Sequence, residues 1–389
     1  MSEGIPLDHG LDITEARRRF PATQQVAYFN TAAVGLASDT VAATYRALVE
    51  EWTEHGFDWM RGETSAENAR RSAAALLGAE ASDVALIASV SAAAGLVAAQ
   101  FGPARTGQNI VIGEREYSSN HYPWRLLAAK GYDVRQVAFR NGGLEPDDVA
   151  EHVDARTQLV AFSAVQTATG HRSDVAAIAS LAREVGALVF VDGSQAIGAL
   201  PVADDLGHVD VLATADHKFL MNAGRGMGYC YLSPAAQDRF VPVNAGWKAG
   251  AVPADSFFGP TMTLSTTASR FDSSISWMAA AGNEAALSVL QEFGPEAVYR
   301  RNRELADLLR TSMSELGWAP ADLPPANRST IVAVPLRGTD PGALLADLRR
   351  RGTVCAARDG NLRLAVHFYN HEEDVERVVE ALREVGGLG

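Results

Sequence analysis

Short apolar runs and longer amphipathic stretches alternate along this chain. Runs rich in Val, Ile, Leu, Ala and Phe occur at 26–29, 84–88, 109–112, 159–162, 187–191 and 209–213, and small or polar residues follow each of them. Runs of four or five apolar residues with such flanks predict strands, of the kind covered on both faces. Between them the pattern takes a helical period. A helix capped by Ser38 or Asp39 would set Val41, Tyr45, Leu48, Val49 and Trp52 on one face. Another ends at Leu77, where Gly78 follows. A third opens around Tyr117–Trp124 and closes at Gly131, and a fourth, capped by Ser173, runs over 174–185. Strands alternating with helices, with few hairpin signals, predict an α/β fold built on a mainly parallel sheet flanked by helices.

Beyond a last strand at 227–232 the pattern changes. Residues 244–269 are rich in Gly, Pro, Ser and Thr and predict a long loop region, which in a compact domain is usually functional. A long helix starts near Ser276 and another follows Pro295, a residue suited to a first helical position. From residue 330 the order is strand (331–336), helix capped by Asp340 and Pro341, strands (353–357 and 361–368) and helix (372–385). That is a small α/β unit of its own, so we divide the chain into a large domain over 30–285 and a smaller one over 286–389. The length of 389 residues agrees with about two domains.

Composition narrows the function classes. Hydrophobic residues make up 47 %, ample for a core, and the net charge is −13. With no long basic stretch, no nucleic-acid partner is expected. No apolar run approaches the ~18 residues of a membrane helix, so no membrane partner is expected. The first fourteen residues are polar, which predicts no signal peptide and a cytoplasmic location. Two cysteines, Cys230 and Cys355, offer neither metal-ligand spacing nor a disulfide framework, so no metal is expected.

Candidate chemistry gathers at predicted strand ends. Asp192 ends one strand, and Lys218 follows another and precedes a glycine-rich turn at 222–228. Ligands bind at the carboxyl edge of such sheets. A lysine there can form an imine with a carbonyl, and an acid can keep a pyridine nitrogen protonated, which together is the pattern of a pyridoxal phosphate (PLP) enzyme. The strand–turn–helix passage Ser89-Val90-Ser91 predicts an anion cradle at a helix N-terminus. Tyr117 at a strand end can lie flat on a planar ring. Asn30 opens a loop of small residues where backbone can approach a ligand. Residues 54–61 mix aromatics, charge and glycine, and read as site lining, a subunit contact or a plain connection between helices.

The motifs Tyr28-Phe-Asn-Thr-Ala-Ala, Val191-Asp-Gly-Ser-Gln195, His217-Lys218, and Leu362-Arg363 followed by His367-Phe-Tyr-Asn370 occur in this order. Through them the chain, from about Tyr28 to Leu382, resembles the class V aminotransferase family of fold-type I PLP enzymes. That family includes cysteine desulfurases, selenocysteine lyases, isopenicillin-N-epimerase-like proteins and hercynylcysteine sulfoxide lyases. The resemblance implies that Lys218 is the Schiff-base lysine and Asp192 the partner of the pyridine nitrogen. It implies that Gln195 lies near the ring hydroxyl, that Tyr117 stacks on the ring, and that Thr167 stands near the ring oxygen. Val90, Ser91 and His217 would hold the phosphate, with Ala215 where the family often has a serine. Ser274 would reach a phosphate across a homodimer interface. Arg363 would hold the carboxylate of an amino-acid substrate, with Arg358 as the alternative and Asn30 beside it. The resemblance also places residues 1–29 with the small domain. One departure bears on the reaction: the sulfur-mobilising members carry a nucleophilic cysteine on a loop, and here Cys355 falls in a short apolar stretch. The expected activity is therefore a carbon–sulfur β-lyase of an S-substituted cysteine. Aminotransferase, epimerase, decarboxylating and persulfide-forming reactions are the alternatives, and a non-catalytic regulator on the same fold is the rival from another class.

Overall fold

A computed structural model describes residues 10–222, 224–259 and 263–385. The polar N-terminal stretch, the glycine-rich turn after Lys218 and the loop 244–269 fall partly outside the described residues. In chain order the strands are β1 (Ala27–Tyr28), β2 (Val84–Ile87), β3 (Asn109–Gly113), β4 (Asp133–Val137), β5 (Thr157–Ser163), β6 (Leu188–Asp192), β7 (Val211–Ala215), β8 (Gly228–Leu232), β9 (Ile331–Pro335), β10 (Thr353–Val354), β11 (Ala356–Arg358) and β12 (Asn361–Ala365).

Seven of these form the main sheet, in the order β2-β8-β7-β6-β5-β3-β4. Every neighbouring pair is parallel except those made by β8, which is antiparallel to both β2 and β7. Successive strand residues point to opposite faces, and both faces are covered. Leu86, Val111, Val160, Phe162, Val189, Val191 and Leu212 enter one core. Ile87, Ile110, Ile112, Leu159, Phe190, Val211 and Ala213, their alternates, enter the other. This double burial is why the strands read as unbroken apolar runs. The edge strand β4 escaped the sequence reading for the opposite reason: Asp133, Arg135 and Gln136 break its apolar run, as befits a sheet edge.

The smaller unit holds the antiparallel sheet β11-β12-β9 and a third core, with Leu309, Trp318, Val332, Val334, Leu362, Leu364 and Val378. The N-terminal segment is bound to it. β1 pairs in parallel with β10, Arg17 donates to Asp374 at 2.8 Å, and the Phe20 ring meets Phe368 and Tyr369. The division proposed at 285/286 falls inside the helix Trp277–Phe293, whose Leu287 and Leu290 belong to the core of the large sheet.

Three local expectations change. Val49 and Trp52 are 47 % and 57 % exposed, so the buried face of Asp39–His55 is narrower than its periodicity suggests and rests on Val41 and Leu48. Asp174, rather than Ser173, caps the helix Val175–Glu184, because its carboxylate accepts from Ala177 N while Ser173 Oγ donates to Ser163 O. The small polar turn after β2 is already helix, since Val90–Ala98 starts directly after the capping Ser89. No described helix is long and apolar enough to cross a membrane.

Candidate active site

The segments that follow β3, β5 and β7 open toward one cavity of about 580 Å³, lined among others by Tyr117, Thr167, His217, Lys218, Arg358 and Arg363. The segment that carries Lys218 is fixed from several sides. Asp216, just before it, is buried and accepts from Asn222 Nδ2 at 3.0 Å, from Asn283 Nδ2 at 2.9 Å and from His217 Nδ1 at 3.2 Å. Gly35 N donates to His217 O at 2.8 Å, and a Cβ at Gly35 would come within 2.3 Å of Lys218 O, so only glycine allows this approach. Behind the lysine, His367 Nε2 lies 3.1 Å from Phe219 O; burial pushes the pKa of His367 down to about 3 and keeps it neutral.

Burial also lowers the pKa of the Lys218 amine. Asp192 acts against that shift, and the cations Arg363 and Arg225 add to it. Asp192 ends β6, is 5 % exposed, and its Oδ1 accepts from Ser194 N at 2.9 Å. Lys218 Nζ stands 5.5 Å from the centroid of the half-exposed Tyr117 ring. Gln195 Nε2 donates to Ala32 O at 3.0 Å and Thr167 Oγ1 at 2.8 Å, whereas its buried Oε1 has no partner among the described residues.

Arg363, on β12 of the small unit, reaches across to the large one. Its guanidinium donates to Thr167 Oγ1 at 2.9 Å, to Thr167 O at 3.1 Å and to Asn30 Oδ1 at 3.5 Å, and its buried Nε is unpartnered. No carboxylate among the described residues pairs with it. Burial, with help from Arg358, pulls its pKa down to about 10. A buried guanidinium held only by neutral groups is poised for an anion.

Two candidates stand apart from this cluster. Ser91, in the first turn of Val90–Ala98, lines a neighbouring cavity that shares Ser118 with the main one. Ser274 lies in a separate cavity of about 410 Å³ with Trp59, Glu63, Trp247, Lys248, Phe257 and Trp277. There the stretches 54–61 and 244–269 meet: Trp59 packs on Trp247 and Phe257, and Lys248 Nζ pairs with Glu63 at 2.5 Å.

The family model of aminotransferase class-V matches residues 39–378. The chain belongs to the class-V aminotransferase family. Among its curated relatives are a probable cysteine desulfurase of Methanothermobacter thermautotrophicus, 25 % identical over 96 % of this chain and 98 % of the relative, and the isopenicillin N epimerase of Streptomyces clavuligerus, 29 % identical over 97 % and 99 %. A similar solved structure is the cystine C–S lyase C-DES in complex with its reaction product cysteine persulfide. It has a TM-score of 0.83 at 20 % identity and covers 95 % of this chain and 100 % of its own, a likeness of fold. The chain is thus a fold-type I enzyme of a PLP-dependent family.

This class-V site also holds groups that the sequence left unassigned. Glu116 directly precedes Tyr117, and nothing in its sequence neighbours signals a buried carboxyl. Its Oε1 accepts from Ser163 N at 3.1 Å and Gln166 Nε2 at 2.7 Å, and its Oε2 accepts from Ser163 Oγ. Ser163 pairs in register with Asp192, so Glu116 sits one strand away from it. Burial pushes the pKa of Glu116 up from 4.5 to about 7, with a smaller push from Asp192. Arg225 was hidden in a turn read only for its glycines, and the Arg115–Asp359 ion pair joins residues far apart in sequence.

Because its folded pKa is raised, Glu116 binds its proton more tightly in the native state. Its contribution to stability is present below pH 4.5 and is lost as pH rises to about 7, a span of about 3 kcal/mol. Urea denaturation from pH 5 to 8 should show this decline in the wild type and a flatter profile in Glu116→Gln.

Proposed function

We propose that the protein is a PLP-dependent carbon–sulfur β-lyase that cleaves an S-substituted cysteine. The observation that carries the amino-acid reading is Arg363, a buried cation without a carboxylate partner on the same cavity as the amine of Lys218. The residues present fit PLP: the half-buried Lys218 amine for its aldehyde, the Asp192 carboxylate for its ring nitrogen, the Tyr117 face for its ring, and the Gln195 Oε1, unpartnered among the described residues, for its ring hydroxyl. We assign the phosphate to His217 and to the N-terminus of Val90–Ala98, where Ser91 lines the adjoining cavity and the Val90 side chain packs into the second core, so that only its backbone N–H is offered to an anion.

When bound, PLP supplies an electron sink for the negative charge left at the substrate α-carbon. The rest of the chemistry belongs to this chain. Lys218, with its lowered pKa, reaches the neutral form needed to attach to a carbonyl and then to accept the α-proton at Nζ. Asp192 holds a positive charge opposite its carboxylate. Arg363 fixes the α-carboxylate, with Asn30 and Thr167 keeping its fork in place. Tyr117 offers a flat aromatic face beside the amine. Expulsion of the β-thiolate leaves products that hydrolyse to pyruvate and ammonia. Ser274, remote from Lys218 within one copy, is assigned to the site of a second copy in a homodimer.

The choice of β-lyase over persulfide transfer rests on the thiols. Cys355 sits at the junction of β10 and β11, packed on the core of the small unit, and burial pushes its pKa up to about 12. Cys230 is fully buried in β8, and its pKa is likewise pushed up to about 12. A sulfur carrier needs an accessible thiolate.

Arg363→Ala should lower kcat/KM by about two orders of magnitude or more, given roughly 3 kcal/mol for a charge-assisted fork, with little change in cofactor absorbance. Loss of cofactor with normal substrate binding would make it a structural residue. Cys355→Ala should keep most activity, with pyruvate, ammonia and a sulfur-bearing leaving group as products. Loss of sulfur release in that variant would favour a desulfurase, and transfer of the amino group to a keto acid would favour an aminotransferase.

A further inference from the structure

Arg115, Arg225, Arg358 and Arg363 all line the cavity that holds Lys218. Arg115 is neutralised by Asp359, and Arg363 is assigned to the α-carboxylate. Arg225 and Arg358 have no carboxylate partner among the described residues; Arg358 donates only to the neighbouring Ala357 O, at 2.7 Å. The whole chain carries a net charge of −13, so carboxylates are not scarce. Both guanidiniums act on the cavity, since Arg225 depresses the pKa of Lys218 and Arg358 that of Arg363.

The β11–β12 hairpin gives this surplus a direction. Arg363 pairs in register with Ala356 and Asn361 with Arg358. With side chains alternating along each strand, Arg358 and Arg363 lie on the same face, as diagonal neighbours roughly 7–8 Å apart at the backbone. Arg363 is buried and Arg358 is exposed, so the line between them runs from the floor of the cavity to its mouth. Beyond Arg358 the chain turns through Asp359 and Gly360, both with positive φ, and the Arg115–Asp359 pair ties that turn to the large unit. The hairpin tip is thereby held with Arg358 over the opening.

We propose that the substrate side chain ends in a second carboxylate, received at the cavity mouth by Arg358 with Arg225. This rests on the reading of Arg363 as the α-carboxylate site. It narrows the S-substituted cysteine to one whose sulfur substituent is acidic. A neutral or basic substituent would leave two guanidiniums facing it without a counterion, and a basic one would be repelled.

The test is a binding titration of the holoenzyme, read from the cofactor absorbance, with matched acid and amide pairs. One pair is S-(2-carboxyethyl)cysteine and its carboxamide. The other is sulfur-free, 2-aminoadipate and its side-chain amide. The acids should bind about ten-fold more tightly or better. The ratio should fall toward one in Arg358→Gln and in Arg225→Gln, and it should shrink with salt in the wild type. Equal binding of acid and amide in both pairs, or an unchanged ratio in the variants, overturns the proposal. Loss of cofactor from Arg225→Gln would assign that residue to the phosphate and overturn its part. Pyruvate release is measured separately. An acid preference without pyruvate would remove the β-lyase reading and keep the second carboxylate; pyruvate from acid and amide alike, with equal binding, would do the reverse.

Discussion

Two cations on one cavity, the half-buried Lys218 and the buried Arg363, set the terms for the rest of the structure. Removing an amine and a guanidinium from water is costly unless charge or hydrogen bonds offset it. Asp192 offsets part of that cost at Lys218, and neutral oxygens from Thr167 and Asn30 do so at Arg363. These groups come from four strand ends and from both units. The sheet must therefore bring β5, β6 and β7 into register, and the small unit must dock closely. That docking is tight: a Cβ at Gly170, just past Thr167, would lie 2.2 Å from Ile331 O of β9. The charge left uncompensated at Arg363 is the basis of our proposal that it receives a carboxylate.

Much of this was legible in the sequence because the central strands are buried on both faces. Val189, Phe190 and Val191 leave Asp192 as the first polar residue, and the run up to Ala213 is followed within a few residues by Asp216, His217 and Lys218. The acid and the lysine are conspicuous where the apolar pattern stops. β4 was not legible, because an edge strand has no reason to be apolar throughout. Glu116 was not legible either. Its burial depends on donors from Ser163 and Gln166, which only the fold brings to it. Arg225 and the Arg115–Asp359 pair belong to the same class, since each is defined by a cavity shared between distant segments.

Membership of the family leaves the reaction open, because one fold carries many chemistries. The relatives include a probable cysteine desulfurase and an isopenicillin N epimerase. Three features of this chain separate the possibilities: the state of its thiols, the charge at the cavity mouth, and the aromatic cluster in which 54–61 and 244–269 meet beside Ser274. On the first two rest our proposals that no enzyme thiol carries the sulfur and that the substrate bears a second negative charge. The third places the stretches 54–61 and 244–269 next to the residue we assign to the neighbouring copy.

The central claim is that the amine of Lys218 is the anchor of the cofactor. The direct measurement is borohydride reduction of the purified holoenzyme followed by peptide mapping by mass spectrometry. A phosphopyridoxyl adduct on the peptide containing Lys218 is the result this account predicts. An adduct on Lys130 or Lys248, with Lys218 unmodified, would contradict it.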